Sequence, residues 1–334
     1  MLQKSILALF VGFSCYAAQI INGAGATFPY PLYSKWFSEF GKANPDININ
    51  YQSIGSGGGI RQFMDRTIDF GATDAPMSDE QLAKSNTPVV HIPTVLGAVV
   101  VTFNLPGVDE LKLDADLLAA IFLGEISKWN DPKLKAANPG LSYSGNIVVV
   151  HRSDGSGTTA IFADYLSKVS ASWKSKVGQG TALNWPTGLG GKGNEGVTGL
   201  IKQMPGSIGY VELVYAETNK LSYCSLKNRS GEFVKPTLQS VTAAAASANI
   251  PDDLRVSITD PGGKTAYPIA GLTYLLIHKS MPDPVKAASL VSFLHWALSD
   301  GQKLAPDLLY APLPESLLKK ARLRIGTIDI RKTG

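Results

Sequence analysis

Cysteine is nearly absent. Of 334 residues only Cys15 and Cys224 carry a thiol, and Cys15 sits in an N-terminal apolar stretch expected to be removed, so no intramolecular disulfide is available. Stability must come from packed cores. Histidine is scarce too, with four residues, and their spacing outlines no metal site. His91, His278 and His295 lie in apolar segments that suggest packing, and no metal or other cofactor is expected. Basic runs are missing: the formal net charge of +4 is spread along the chain without aromatic interleaving, which argues against a nucleic-acid surface. No uninterrupted apolar run reaches the roughly 20 residues a membrane-spanning helix requires. What remains, 44% hydrophobic and 17% charged residues, is ordinary globular material long enough for two domains.

The N-terminus carries Lys4, an apolar run from Ile6 to about Phe13, and small residues at Ala17 and Ala18, the pattern of a secretory signal peptide over 1–17. A membrane anchor competes, but the run is short for it. A lipoprotein cut before Cys15 would need a better approach than Gly12-Phe13-Ser14. The mature protein is therefore expected to be exported to the periplasm. Cys224, between Tyr223 and Ser225 with no histidine nearby in sequence, reads as a buried small hydrophobe and not a nucleophile.

Strand and helix patterns alternate, which predicts an α/β architecture with largely parallel sheets. Strands are expected over 47–51, 68–73, 95–103, 147–150, 207–212 and 271–277. Helices are expected over 30–40, 58–66, 117–123, 158–169, 196–204, 284–298 and 315–321. The two long apolar strands, around Val95 and Leu272, could be crossovers between two lobes. Lobe I would then comprise 18–96 and 271–334 and lobe II 97–270, with a ligand in the cleft. Two buried strands of a single sheet fit the pattern equally well.

The segment Arg152-Ser153-Asp154-Gly155-Ser156-Gly157-Thr158-Thr159 joins an apolar strand to a helix beginning near Gly157. First-turn N–H groups lack intrahelical partners and the helix dipole favours an anion there; Ser156 and Thr158 add hydroxyls, and Arg152 a planar fork. An ordinary Ser or Asp N-cap is the alternative reading. Two further helix starts resemble it. Thr27-Phe28 precedes Pro29 and Pro31, and Gly55-Ser56-Gly57-Gly58-Gly59 follows a strand. All three could meet on one anion at the carboxyl ends of the strands.

Rival chemistries find less support. Gly188-x-Gly190-x-x-Gly193 and Gly191-x-Gly193-x-x-Gly196 fit a dinucleotide fingerprint, but neither follows a clear strand, Pro186 precedes both, and Lys192 is followed by Gly and not by Ser or Thr. A hydrolase would need Ser56 or Ser156 in a GxSxG elbow, which neither has, and only His151 lies near either serine in sequence. Trp36, Trp129, Trp173, Trp185 and Trp296 read as packing residues.

Six segments, in order, resemble the phosphate-binding proteins of phosphate-specific ABC importers, which have the two-lobed, type 2 periplasmic binding protein fold with two crossover strands as its hinge. They are Gly23-Ala24-Gly25-Ala26-Thr27-Phe28-Pro29, Tyr51 to Gly59, Asp69 to Pro76, Asp154 to Thr158, Gly188 to Asn194 and Tyr310 to Pro314. The resemblance spans nearly all the mature chain. It implies a non-enzymatic capture of inorganic phosphate by Thr27, Phe28, Ser56, Asp74, Arg152, Ser156, Gly157 and Thr158, with Asp154 pairing Arg152. It implies no direct ligand role for 188–194. Asp74 would be tolerated beside phosphate only by accepting the ligand's proton, so it would separate phosphate from sulfate, the alternative tetrahedral oxyanion. A phosphate-ester hydrolase is the more distant alternative. The expected partners are a membrane permease and its ATPase subunits, with the binding protein a monomer. His151 stands where close relatives are expected to carry a second Arg.

Overall fold

The computed structural model describes residues 18–246 and 248–330. The expected signal peptide, 1–17, and Cys15 within it lie outside the described residues. The first half of the chain runs β1 (Gln19–Gly25), α1 (Tyr30–Ala43), β2 (Ile47–Ser53), α2 (Ser56–Met64), β3 (Phe70–Thr73), α3 (Asp79–Ala83), β4 (Val89–Asn104), β5 (Lys112–Leu113), α4 (Ala115–Phe122), α5 (Pro132–Ala137), β6 (Val148–Arg152), α6 (Gly157–Val169) and α7 (Ala171–Lys176). The second continues with β7 (Leu189–Gly191), α8 (Gly193–Gln203), β8 (Ser207–Glu212), α9 (Leu213–Thr218), β9 (Ser222–Tyr223), β10 (Ser225–Lys227), β11 (Phe233–Val234), α10 (Leu238–Ala246), β12 (Ala270–His278), α11 (Pro284–Ala297), α12 (Asp300–Leu304), a 3-10 turn (Pro306–Leu308) and α13 (Glu315–Ile325).

Every expected strand and helix has a counterpart, and the boundaries move by a few residues. The strand expected over 95–103 is the inner part of the 16-residue β4, which runs through Pro93 and is buried along its length except at the two ends. β1 goes beyond the expected elements because its Gly-Ala-Gly end has little strand propensity. Its small residues serve packing instead: a Cβ on Gly59 of α2 would meet the Gly25 Cα at 2.4 Å, so helix and strand approach backbone to backbone. α3, α5, α7, α9, α10 and α12 are also additional; apart from α10 each is six residues or shorter, too little to show a helical period.

The main sheet runs β2-β1-β3-β12-β4-β8-β6-β7, with β9 also on β4. The sheet is mixed and flanked by helices, as the fold implied by the resemblance has it; only the expectation of largely parallel pairing, drawn from the alternation of elements, is corrected. β1 pairs β2 and β3, and β6 pairs β7 and β8, all in parallel, whereas β12 is antiparallel to β3 and β4, and β4 is antiparallel to β8. β4 bridges the two parallel groups: Val89 to Ala98 pair with β12, and Val99 to Asn104 with β8. A strand covered on both faces reads as a continuous apolar run, as Val95 to Val101 does. Aromatic clusters brace each group, Tyr33, Trp36, Phe40, Phe293 and Trp296 on one side and Phe122, Phe162, Trp173, Trp185 and Tyr210 on the other. The tryptophans therefore serve packing, and Cys224 is fully buried.

Candidate functional site

The carboxyl ends of β1, β2, β3 and β6 open into the turns that carry the expected residues, and the structure brings all of them together. Gly57 N–H donates to Gly155 O at 2.8 Å, joining the α2 and α6 turns through backbone alone. Gly55 allows this approach: it has φ of 88° and a Cβ there would stand 2.2 Å from Asp154 Oδ2. A Cβ on Gly157 would lie 2.4 Å from Ser56 Oγ and 2.5 Å from Asp74 Oδ2, which places the α6 start directly against the other two residues. Thr27, Phe28, Ser56, Asp74, Arg152, Ser156 and Thr158 are each 4% exposed or less, so contacts made here are shielded from water.

The N-cap reading of Ser156 is the one the structure shows, and it leaves room for the other. It is the N-cap of α6, its Oγ accepting from Thr159 N–H at 2.9 Å, and this leaves the hydroxyl proton free to donate. Asp154 does not cap; it takes Arg152 in a two-pronged contact, Nε to Oδ1 at 2.7 Å and Nη2 to Oδ2 at 2.6 Å. Burial pushes the Asp154 carboxyl up, but Arg152 and the Gly193 N–H more than offset this and hold it below the usual range. Arg152 Nη1 donates to Thr158 Oγ1 at 3.3 Å, so two guanidinium N–H bonds remain for a ligand.

Asn194 organises the hydroxyls, a role the sequence did not reveal when the 188–194 loop was expected to have no direct ligand role. Its backbone N–H and Nδ2 both donate to Thr27 Oγ1, at 3.2 and 2.7 Å. Nδ2 also donates to Thr158 Oγ1 at 3.2 Å, and Oδ1 accepts from Glu212 N–H at 3.0 Å. With two donors already on each threonine oxygen, the Thr27 and Thr158 hydroxyls can act toward a ligand only as donors. The loop also corrects the reading of the glycine motif, because a three-residue strand, β7, does lead into α8 there; the structure uses that turn to place Asn194.

Three tyrosines, Tyr215 and Tyr310 buried and Tyr51 half-buried, secure the first turn. The successive carbonyls of Ala26, Thr27 and Phe28 accept from the hydroxyls of Tyr51 at 2.7 Å, Tyr215 at 2.6 Å and Tyr310 at 2.6 Å. Their oxygens are thus occupied, and the turn is left to offer the Phe28 N–H and the Thr27 hydroxyl. These tyrosines come from β2, α9 and the segment before α13, and no local pattern marks them.

Asp74 is the one buried acceptor among these donors. Burial raises its carboxyl to about 7, against the opposing pull of Thr273, Arg152 and Ser56. Thr273 Oγ1 donates to Oδ1 at 2.8 Å, and Ser56 Oγ lies 3.5 Å from Oδ2. Glu212, fully buried nearby, has its carboxyl pushed well up by burial; its Oε2 caps α9 by accepting from Val214 N–H at 2.7 Å. His151 stacks on Trp185 with ring centroids 4.6 Å apart, and burial lowers its pKa, so it adds no cation where the resemblance implied an Arg. Its Nδ1 contacts Arg152 O and not Ser56 or Ser156. Among the described residues no His/Cys/Asp/Glu group could hold a metal ion. Arg152 is balanced by Asp154, so an anion here would be held chiefly by dipoles and hydroxyls, as preorganised oxyanion sites are.

A family model described as a PBP superfamily domain matches residues 16–301. A "Phosphate-binding protein PstS" of Pasteurella multocida is 45% identical over 98% of this chain and 96% of its own length. A protein of the same name from Xylella fastidiosa is 48% identical over 90% of this chain and 83% of its own. Among solved structures, the high-affinity periplasmic phosphate-binding protein PfluDING, bound with phosphate, superposes with a TM-score of 0.74 at 21% identity, covering 91% of this chain and 93% of that one.

Proposed function

The chain belongs to the phosphate-binding proteins PstS within the PBP superfamily, and from that premise we propose that it captures inorganic phosphate between its three helix starts. The observation that carries this reading is Asp74, a lone carboxylate among donors. Thr27, Phe28, Ser56, Arg152, Ser156, Gly157 and Thr158 supply N–H and O–H groups suited to any tetrahedral oxyanion. Asp74 suits only one that still carries a proton, because an unprotonated oxygen would face a negative charge without water to screen it. A sulfate site would have a donor in its place.

On this reading the halves 18–96 with 271–334 and 97–270 close on the ligand as lobes, with β4 and β12 as the connection. The bonds from Asn194 and Tyr215 to Thr27, and from Gly57 to Gly155, would form on closure. The exported protein, its 1–17 leader removed, would act as a monomer without covalent chemistry and hand phosphate to the permease and ATPase of an ABC importer. No helix among the described residues is long and apolar enough to cross a membrane. Calorimetric titration of protein stripped of phosphate tests the claim. Phosphate should bind tighter than sulfate by roughly 10⁴, the discrimination open to a site that hydrogen-bonds a group the competitor lacks. Equal affinities would refute it.

A further inference from the structure

Asp74 directly follows β3, and the antiparallel ladder to β12 pairs Thr73 with Tyr274, so the next position sets Asp74 across from Thr273. Both side chains are buried, and the Thr273 hydroxyl spends its single proton on Asp74 Oδ1 at 2.8 Å. On the other edge of β12 the partner strand carries a bulge. There Thr273 pairs with Val95 and Tyr274 with Pro93, leaving Thr94 of β4 as an extra, bulged residue. A bulge re-aims side chains, and a one-residue slip exchanges the faces of a strand. This one is pinned: Thr94 Oγ1 donates to Thr273 O at 3.2 Å, Tyr33 OH lies 2.8 Å from Thr94 Oγ1, and Gln302 Nε2 donates to Thr94 O at 2.8 Å.

We propose that Thr273 is the positioning residue that makes Asp74 an acceptor: by holding Oδ1 it turns Oδ2 toward the ligand. It thereby sets the preference for a protonated oxyanion. This rests on the reading of the site as a phosphate site. The groups facing Asp74 from the surrounding elements are Arg152 on β6, Glu212 at the end of β8, Tyr33 on α1, Tyr51 on β2 and Tyr310 before α13. Arg152 also favours the ionised form, but its fork is shared with Asp154 and Thr158. Thr273 makes the shorter of the two hydroxyl contacts, 2.8 Å to Oδ1 against 3.5 Å from Ser56 Oγ to Oδ2, and so leaves Oδ2 the freer oxygen. Burial already raises Asp74 to about 7 with this bond in place, so its loss leaves a protonated carboxyl at neutral pH, able to donate to sulfate.

The test compares the wild type with Thr273→Val, which keeps the shape, and Thr273→Ser, which keeps the hydroxyl. Phosphate and sulfate are each titrated calorimetrically from pH 6 to 9. Thr273→Val is expected to lower the phosphate-to-sulfate affinity ratio at pH 7 by roughly tenfold, as one pH unit of change in Asp74 would. The pH at which the ratio recovers moves up correspondingly, and Thr273→Ser restores both. A Val variant that weakens both anions by the same factor at every pH makes Thr273 merely structural and overturns the proposal. Should the Val variant not fold, Thr273→Ala and the carbon-13 titration of Asp74 in the ligand-free protein carry the same comparison; an unmoved Asp74 midpoint overturns it. A wild type without preference for phosphate would remove the functional reading itself, before any variant is compared.

Discussion

Replacing Asp74 with Asn is expected to stabilise the ligand-free protein at alkaline pH while impairing its selectivity. The carboxyl rises from 3.8 to about 7 on folding, driven by burial. At about 1.4 kcal/mol per pH unit this amounts to ~4 kcal/mol, an upper figure for a group whose surroundings can relax. The sign follows from proton counting. Below pH 3.8 folded and unfolded chains both hold the proton and the group is neutral in its effect. Between about 4 and 7 the unfolded chain has released it while the folded chain retains it, so stability falls as pH rises, and above 7 the full loss remains. An amide has no such slope. Urea denaturation of phosphate-stripped wild type and Asp74→Asn at pH 4.5 and pH 8 should show a stability difference that shifts in favour of the variant by up to ~3 kcal/mol at the higher pH, since ~1 kcal/mol is already lost at pH 4.5. Other titrating groups contribute to both proteins and largely cancel. In the same variant the amide can present either its oxygen or its NH2 group, so sulfate becomes acceptable and the phosphate-to-sulfate ratio narrows. A stability gap equal at both pH values would refute the assignment of a raised carboxyl, and an unchanged anion ratio would refute its role.

Gly157→Ala keeps a helix-compatible residue at the α6 start, but its methyl would stand 2.4 Å from Ser56 Oγ. Thermal melting should therefore change little while calorimetry shows phosphate affinity down at least roughly 100-fold, the clash falling on the ligand-closed arrangement. Asn194→Ala removes the donors that orient Thr27 and Thr158, at about 1–3 kcal/mol, so the dissociation constant for phosphate should rise about 5- to 150-fold, with a near-native circular dichroism spectrum. Tyr215→Phe loses one neutral hydrogen bond to Thr27 O, worth about 0.5–1.5 kcal/mol, and stopped-flow tryptophan fluorescence should locate the deficit in faster phosphate release. Cys224 is fully buried and its thiol is pushed well up by burial, so a colorimetric thiol reagent should leave it untouched in the native mature form and react with it in urea.

Residues that act through their neighbours in the chain were legible in the sequence. Arg152, Asp154, Ser156, Gly157 and Thr158 lie on one strand-to-helix turn, where spacing alone gives the anion chemistry, and β8 was placed to the residue because turn residues and an apolar pattern bound it. Asn194 was within reach, as the one side-chain amide in a glycine loop already singled out. Tyr51, Tyr215, Tyr310 and Thr273 were not. Thr273 contacts Asp74 across 199 positions through the antiparallel pairing of β12 with β3, and on the other edge of β12 the pairing skips Thr94. A period-2 pattern cannot register one skipped residue in a strand that is apolar on both faces.

By itself the sequence determined the alternation of strands and helices and the three helix starts with their unpaired N–H groups, because each follows from local geometry and residue chemistry; the carboxylate beside them came from the family resemblance. Only the tertiary structure decided which oxygen atoms are donors and which are acceptors. A hydroxyl or a carboxyl takes its role from the partners that fill its other positions, and here those partners arrive from distant strands: Asn194 onto Thr27 and Thr158, the tyrosines onto the first turn, and Thr273 onto Asp74.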